Sequence, residues 1–66
     1  MMDQSPPRYP VTCEINGKTY MGNYWIAGKI LTVSTGRGGK SKQVGSMSAE
    51  ALAEELLLQL AREGKA

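Results

Sequence analysis

Histidine and phenylalanine are both missing from the 66 residues. Without histidine there is no imidazole to act as general base or to ligate a metal, the two commonest uses of that side chain. A single cysteine, Cys13, excludes an internal disulfide and leaves a thiolate zinc site short of ligands. Aliphatic runs are short. Leu56-Leu57-Leu58 is as long as they get, against the about 20 apolar residues that span a bilayer. The first ten residues, MMDQSPPRYP, have neither a basic n-region nor an apolar h-region, so no signal peptide is expected. A chain without covalent staples points to a reducing compartment, and the cytoplasm is the expected location.

Large apolar side chains are sparse too, with twelve Leu, Ile and Val residues in all. A chain this size buries only about 60% of the surface it exposes when unfolded. That excludes a substrate domain beside a cofactor domain. It also makes association with a second copy, or with a partner protein, one route to stability. The formal net charge is +2, and its distribution says more than its size. Residues 1–46 hold six basic groups against two acidic ones, and residues 47–66 hold four acidic against two basic. The molecule is expected to carry a basic part and an acidic part, an oriented field rather than a uniformly basic surface.

Residues 1–10 contain all three prolines among polar residues and read as a disordered Pro-rich tail. Pro6-Pro7-Arg8-Tyr9 has the letters of a WW-domain ligand, and Pro7 to Pro10 those of a PxxP segment. Residues 11–66 read as a single small domain. Val11, Cys13 and Ile15 alternate with Thr12 and Glu14, as in a half-buried strand. Asn16-Gly17 is a strong hairpin turn, because both residues tolerate φ > 0. The second strand, Lys18 to Ile26, then has Tyr20, Gly22, Tyr24 and Ile26 on one face (face A, with Val11, Cys13 and Ile15). Face B has Thr12, Glu14, Thr19, Met21, Asn23 and Trp25.

A turn at Ala27-Gly28 comes next. As a two-residue loop it pairs Tyr24 with Leu31 and puts Leu31 and Val33 on face A. As a bulged turn it puts them on face B. The better sorting of apolar residues favours the first. A third strand to about Thr35, a flexible basic loop Gly36 to Gly39, and a polar edge strand Lys40 to Gly45 with Val44 opposite Leu31 complete the sheet.

The helix has clear ends: Ser48 as N-cap, Glu50 in the first turn, Met47 and Leu52 as a hydrophobic staple, and Gly64 as the stop. Ala49, Leu52, Ala53, Leu56 and Leu60 form one stripe, with Leu57 on its flank. The expected fold is α+β: an antiparallel four-stranded β-meander with one C-terminal α-helix packed on face A.

Ser34 to Ser41, STGRGGKS, echoes a phosphate-binding loop. It has Ser where the first glycine belongs, and it joins two strands instead of leading into a helix. Cys13 faces the expected core, and most carboxylates lie along a solvated helix face. No catalysis, cofactor or metal is expected. Two binding readings remain. If the helix covers face A, then Met21, Trp25 and Ile30 lie on an open face B, with Trp25 and Ile30 as cross-strand neighbours. Trp25 is then either an exposed anchor or a ring covered by Tyr9 and Pro10. Leu58, about 180° from the helix stripe, adds an exposed apolar residue. This set suits a protein partner or a homodimer. Alternatively Lys29, Arg37, Lys40 and Lys42 cluster around the 36–42 loop and, with nearby aromatics, contact nucleic acid weakly.

The stretch NGKTYMGNYWIAGKILTVS, with the Gly-rich loop and the Ala/Leu/Glu helix after it, resembles small uncharacterised proteobacterial proteins. They share the pattern NGKxYxGxY, a short gap, and an aliphatic-Thr-Val strand. The resemblance spans about residues 11–62 and is one of pattern, without a catalytic motif. It implies a bacterial, cytosolic protein and weighs against the WW and SH3 readings. It carries no activity, so no functional residue is carried over.

Overall fold

The computed structural model describes residues 7–66. Four antiparallel strands follow one another in sheet order: β1 (Tyr9–Ile15), β2 (Lys18–Ala27), β3 (Ile30–Ser34) and β4 (Gly39–Gln43). The helix α1 (Ala49–Arg62) packs on one side of the sheet. This is the α+β meander with a single helix that the sequence pattern predicts.

The first hairpin is the one expected. Asn16 at φ 52° and Gly17 at φ 82° make the turn, and Glu14 pairs with Thr19 and Cys13 with Tyr20. The strand, however, begins two residues earlier than the alternation suggests. Tyr9 and Pro10 belong to β1, opposite Tyr24 and Asn23, so the expected tail does not extend to residue 10. Residues 1–6, and with them Pro6 of the WW-like motif, lie outside the described residues. Proline is tolerated at position 10 because β1 is an edge strand. Counting out from the two-residue turn, Ile15, Cys13, Val11 and Tyr9 bond to β2 while Pro10 faces outward, where no N–H is needed.

The second turn is Gly28-Lys29, not Ala27-Gly28. Tyr24 therefore pairs with Val33 and Ile26 with Leu31. Gly28 at φ 65° occupies the first turn position, which spares Ala27 a left-handed conformation. The slip is by two residues, so Leu31 and Val33 still reach face A. In β4, Lys42 and not Val44 stands opposite Leu31, and the Val44 N–H extends the ladder to the Lys29 carbonyl at 2.7 Å. The Gly36–Gly39 loop is more tightly held than its glycines suggest. The Thr35 hydroxyl accepts from the Arg37 and Gly38 amides, each at 3.1 Å, and donates to the Lys65 carbonyl.

The helix ends are as read. The Ser48 side chain accepts from the Ala51 N–H at 3.2 Å. At the other end Gly64 adopts φ 77°, the Lys65 N–H reaches the Leu60 carbonyl and the Gly64 N–H that of Ala61, the paired bonds of a Schellman stop. At the N-terminal end, before Ser48, Met47 stays 42% exposed. The core sits between α1 and face A: Leu52, Ala53, Leu56, Leu57 and Leu60 against Val11, Tyr24, Leu31 and Val33. No helix among the described residues is long and apolar enough to cross a membrane.

Candidate functional site

Face B is set by the same registers. Its strand positions run from Pro10, Thr12 and Glu14 on β1, through Thr19, Met21, Asn23, Trp25 and Ala27 on β2, to Ile30, Thr32 and Ser34 on β3, and Gly39, Ser41 and Gln43 on β4. Glu14 is the only ionisable side chain at those positions. The helix covers the opposite face, so Met21 is 69% and Ile30 45% exposed. The structure thus brings three of the four expected interface residues onto one open face. Trp25 pairs with Thr32, and Ile30 with Ala27, so Trp25 and Ile30 are diagonal rather than direct neighbours. The Thr32 and Ser41 hydroxyls are bonded to each other at 2.8 Å across β3 and β4. A shallow depression of about 380 Å3 opens beside Met21, lined by Pro10, Asn23 and Ser34.

Trp25 is half-buried, and the residue that covers it is Arg8. The guanidinium carbon lies 4.5 Å from the ring centroid, a cation–π distance. Tyr9 goes to the other face, its ring 5.4 Å from that of Tyr24, and Pro10 pairs with Asn23. The chain before β1 does return to Trp25, but through its cation. No periodicity in the sequence carries that contact; the only available signal was a lone Arg two residues before a proline.

Leu58 does not join this face. It is half-buried on the far side of the sheet, in a groove between β1 and α1 with Thr12, Cys13, Glu14, Ala51, Glu54 and Glu55. The edge strand rises alongside the helix and covers a position that a helical wheel leaves to solvent. Burial, reinforced by the charge of Glu54, pushes the Cys13 thiol pKa up, which holds it protonated and dulls it as a nucleophile.

The four cations of the basic cluster are not brought together. Lys29 sits in the β2–β3 turn and Arg37 in the β3–β4 loop, at opposite ends of a five-residue strand, about 17 Å of chain. Lys40 and Lys42 stand opposite Val33 and Leu31 and so point to the helix side. Lys40 Nζ lies 2.7 Å from Glu63 Oε2. That hydrogen bond, with the charges of Lys40 and Lys65, holds the Glu63 carboxyl below the usual carboxylate range. A depressed carboxyl pKa adds stability above the unfolded value and loses it as pH falls through the folded one. The expected result is that Glu63→Gln lowers the melting temperature slightly at neutral pH and not at all once the carboxylate is protonated. Melting curves of both proteins from pH 7 down to about 2 check this; an undiminished difference in acid removes the ion pair as the cause.

Among the described residues no group of His, Cys, Asp and Glu is placed to hold a metal ion. No family model, curated protein or solved structure matches the chain. The surface geometry therefore carries the functional argument alone.

Proposed function

We propose that this chain is a non-catalytic interaction module that associates with a second copy of itself through face B. One observation carries the reading. The sheet face left open by the helix presents Met21, Trp25 and Ile30 on a nearly uncharged surface, with Arg8 lying over the Trp25 ring. Two such faces pack as sheets do, about 10 Å apart with their strands roughly aligned. The pairing is isologous and stops at a dimer. The charges at this face are Arg8, over the Trp25 ring, and Glu14 on β1, so the contact rests mainly on apolar area.

The nucleic-acid reading has less behind it, since Lys40 is already paired with Glu63 and Lys29 lies a strand length from Arg37. A lone free cysteine fits a reducing compartment, and we place the module in the cytoplasm on that ground.

Sedimentation at high salt is the test, since it screens charge contacts and spares apolar ones. A concentration-dependent monomer–dimer equilibrium is expected to persist there. Trp25→Ser or Met21→Ser should abolish it, and Leu58→Glu, on the other side of the sheet, should leave it intact. A chain that stays monomeric at millimolar concentration in high salt overturns the proposal.

A further inference from the structure

The two edges of the sheet are complementary to each other. β1 and β4 are the end strands, and each leaves one row of backbone groups without a strand partner among the described residues. On β1 the outward row is Pro10, Thr12 and Glu14, by the alternation counted from the Asn16-Gly17 turn. On β4 the bonds of Thr35 to Gly38 and of Val44 to Lys29 fix the alternation. Lys40 and Lys42 bond inward, and Gly39, Ser41 and Gln43 face outward.

Beside β1, on the helix side, the space is open and acidic. Grooves of about 480 and 140 Å3 run along the strand between it and α1. Their walls carry Glu50, Glu54 and Glu55 from the helix, with Leu58 and Ala51 among the apolar lining. None of these three carboxylates has an ion-pair partner among the described residues. On β4 the side chains that point to the helix side are Lys40 and Lys42, and Lys42 has no ion-pair partner among the described residues.

We infer that β4 of a second copy adds to β1, continuing the sheet head to tail. Strand direction alternates across the meander, so a translated copy meets β1 antiparallel with its helix on the same side. Only one register satisfies both the outward alternation and the strand lengths. It sets Ser41 opposite Thr12, Gly39 opposite Glu14 and Gln43 opposite Pro10, so that all five residues of β4 lie along β1; the Pro10 carbonyl accepts from the Gln43 N–H, but Pro10 has no N–H to return. A shift by two in either direction drives β4 off the start of β1 or into its turn. In this register Lys42 stands over Val11, beside Glu50 and Glu54, and Lys40 over Cys13, beside Glu54 and Glu55. Lys40 already holds its own Glu63, so Lys42 is the cation that the contact adds. Pairing two β1 edges instead brings carboxylates together, and pairing two β4 edges brings lysines together. Opposite edges are therefore favoured over like ones.

A head-to-tail contact leaves both ends open, so growth does not stop at a dimer. It uses a surface distinct from face B and is screened by salt. In sedimentation velocity of the full chain at about 10 mM salt, where the screening length is about 30 Å, the average mass should rise past that of a dimer with concentration. At about 1 M salt, where that length is about 3 Å, the growth should vanish. Thr12→Pro and Ser41→Pro each block one edge at a residue whose N–H faces outward. Each alone should fail to grow at low salt. Mixed, they should form a one-to-one dimer and nothing larger, because one intact edge remains on each. Lys42→Glu, an exposed charge reversal that leaves the backbone alone, should also stop growth. Carrying all of these in a Trp25→Ser background keeps failure of this contact separate from failure of the face-B contact. The inference is overturned if the low-salt mass never exceeds that of a dimer in that background, if either proline variant grows as its parent does, or if the mixture stays monomeric.

Discussion

Leu56→Asp is expected to leave no cooperative thermal transition. Leu56 is 2% exposed and lies among Leu52, Ala53, Leu57 and Leu60 on the buried side of α1, in one core cluster with Leu31 and Val33. Removing a buried leucine side chain down to alanine already costs about 2–5 kcal/mol. Aspartate adds a carboxyl to a core where, among the described residues, no buried polar or charged residue can receive it, and an unpaired buried charge is costlier than a cavity. The whole domain has little to set against this. At about 0.05–0.15 kcal/mol per residue, a chain of this length has roughly 3–10 kcal/mol of stability. Leu58→Gln makes the contrast sharp. It changes a half-buried leucine two positions away, in the open β1–α1 groove, and about 1 kcal/mol or less is expected. Far-ultraviolet circular dichroism during heating, with urea titrations of both variants, separates the two. A Leu56→Asp protein that melts as sharply as the parent means that the helix docks by another face.

Why the helix face was legible while other features were not comes down to which patterns constrain a position uniquely. A stripe of leucines at helical spacing admits one buried side, and Ser48 and Gly64 bound it on stereochemical grounds that tertiary contacts did not override. Asn16-Gly17 likewise admits one hairpin. The Ala27-Gly28-Lys29 segment does not. Turns at Ala27-Gly28 and at Gly28-Lys29 differ by two residues in register, and a slip of two leaves every side chain on the same face. Hydrophobic alternation is blind to that difference, which is settled by the φ of Gly28. Pro10 was misread for a related reason. Proline lacks a ladder donor, but an edge strand needs donors at alternate positions only. The site divides the same way. Alternation put Met21, Trp25 and Ile30 on one face, and it also held the information that Lys40 and Lys42 face the helix, since they alternate with Ser41 in a strand paired to Leu31 and Val33. Counted as loop charges they resembled a cluster; counted as strand positions they do not. Leu58 and Arg8 were not legible at all. Their surroundings depend on how far the β1 edge rises beside the helix and on where the chain before it returns.

Gly22→Val should be the next most damaging change, and Gly22→Ala should already be destabilising by about 1–3 kcal/mol. Exchanging a glycine for alanine in an ordinary extended backbone removes freedom from the unfolded chain and stabilises by about 0.4–1 kcal/mol. At Gly22 sterics reverse that sign. A Cβ there falls 2.9 Å from the Ser34 carbonyl oxygen, 3.2 Å from Thr35 Cγ2 and 3.4 Å from Leu57 Cδ1. The first of these is backbone, at the end of β3, and cannot swing away as a side-chain tip can. The third is a core leucine with 0% exposure, so a valine at position 22 pushes both the β3 terminus and the helix. Gly45 supplies the control. Its backbone does not adopt positive φ, and a Cβ there meets nothing within 4 Å, so Gly45→Ala should be neutral or slightly stabilising. Urea unfolding of the two alanine variants therefore should give opposite signs. A second measurement locates the clash. If Leu57 takes up part of the strain, the Gly22→Ala and Leu57→Ala costs should be less than additive, and what remains in the double variant belongs to the Ser34 carbonyl. Strict additivity, or a stabilising Gly22→Ala, means that the helix does not approach β2 as closely as the packing of Leu57 over this glycine requires.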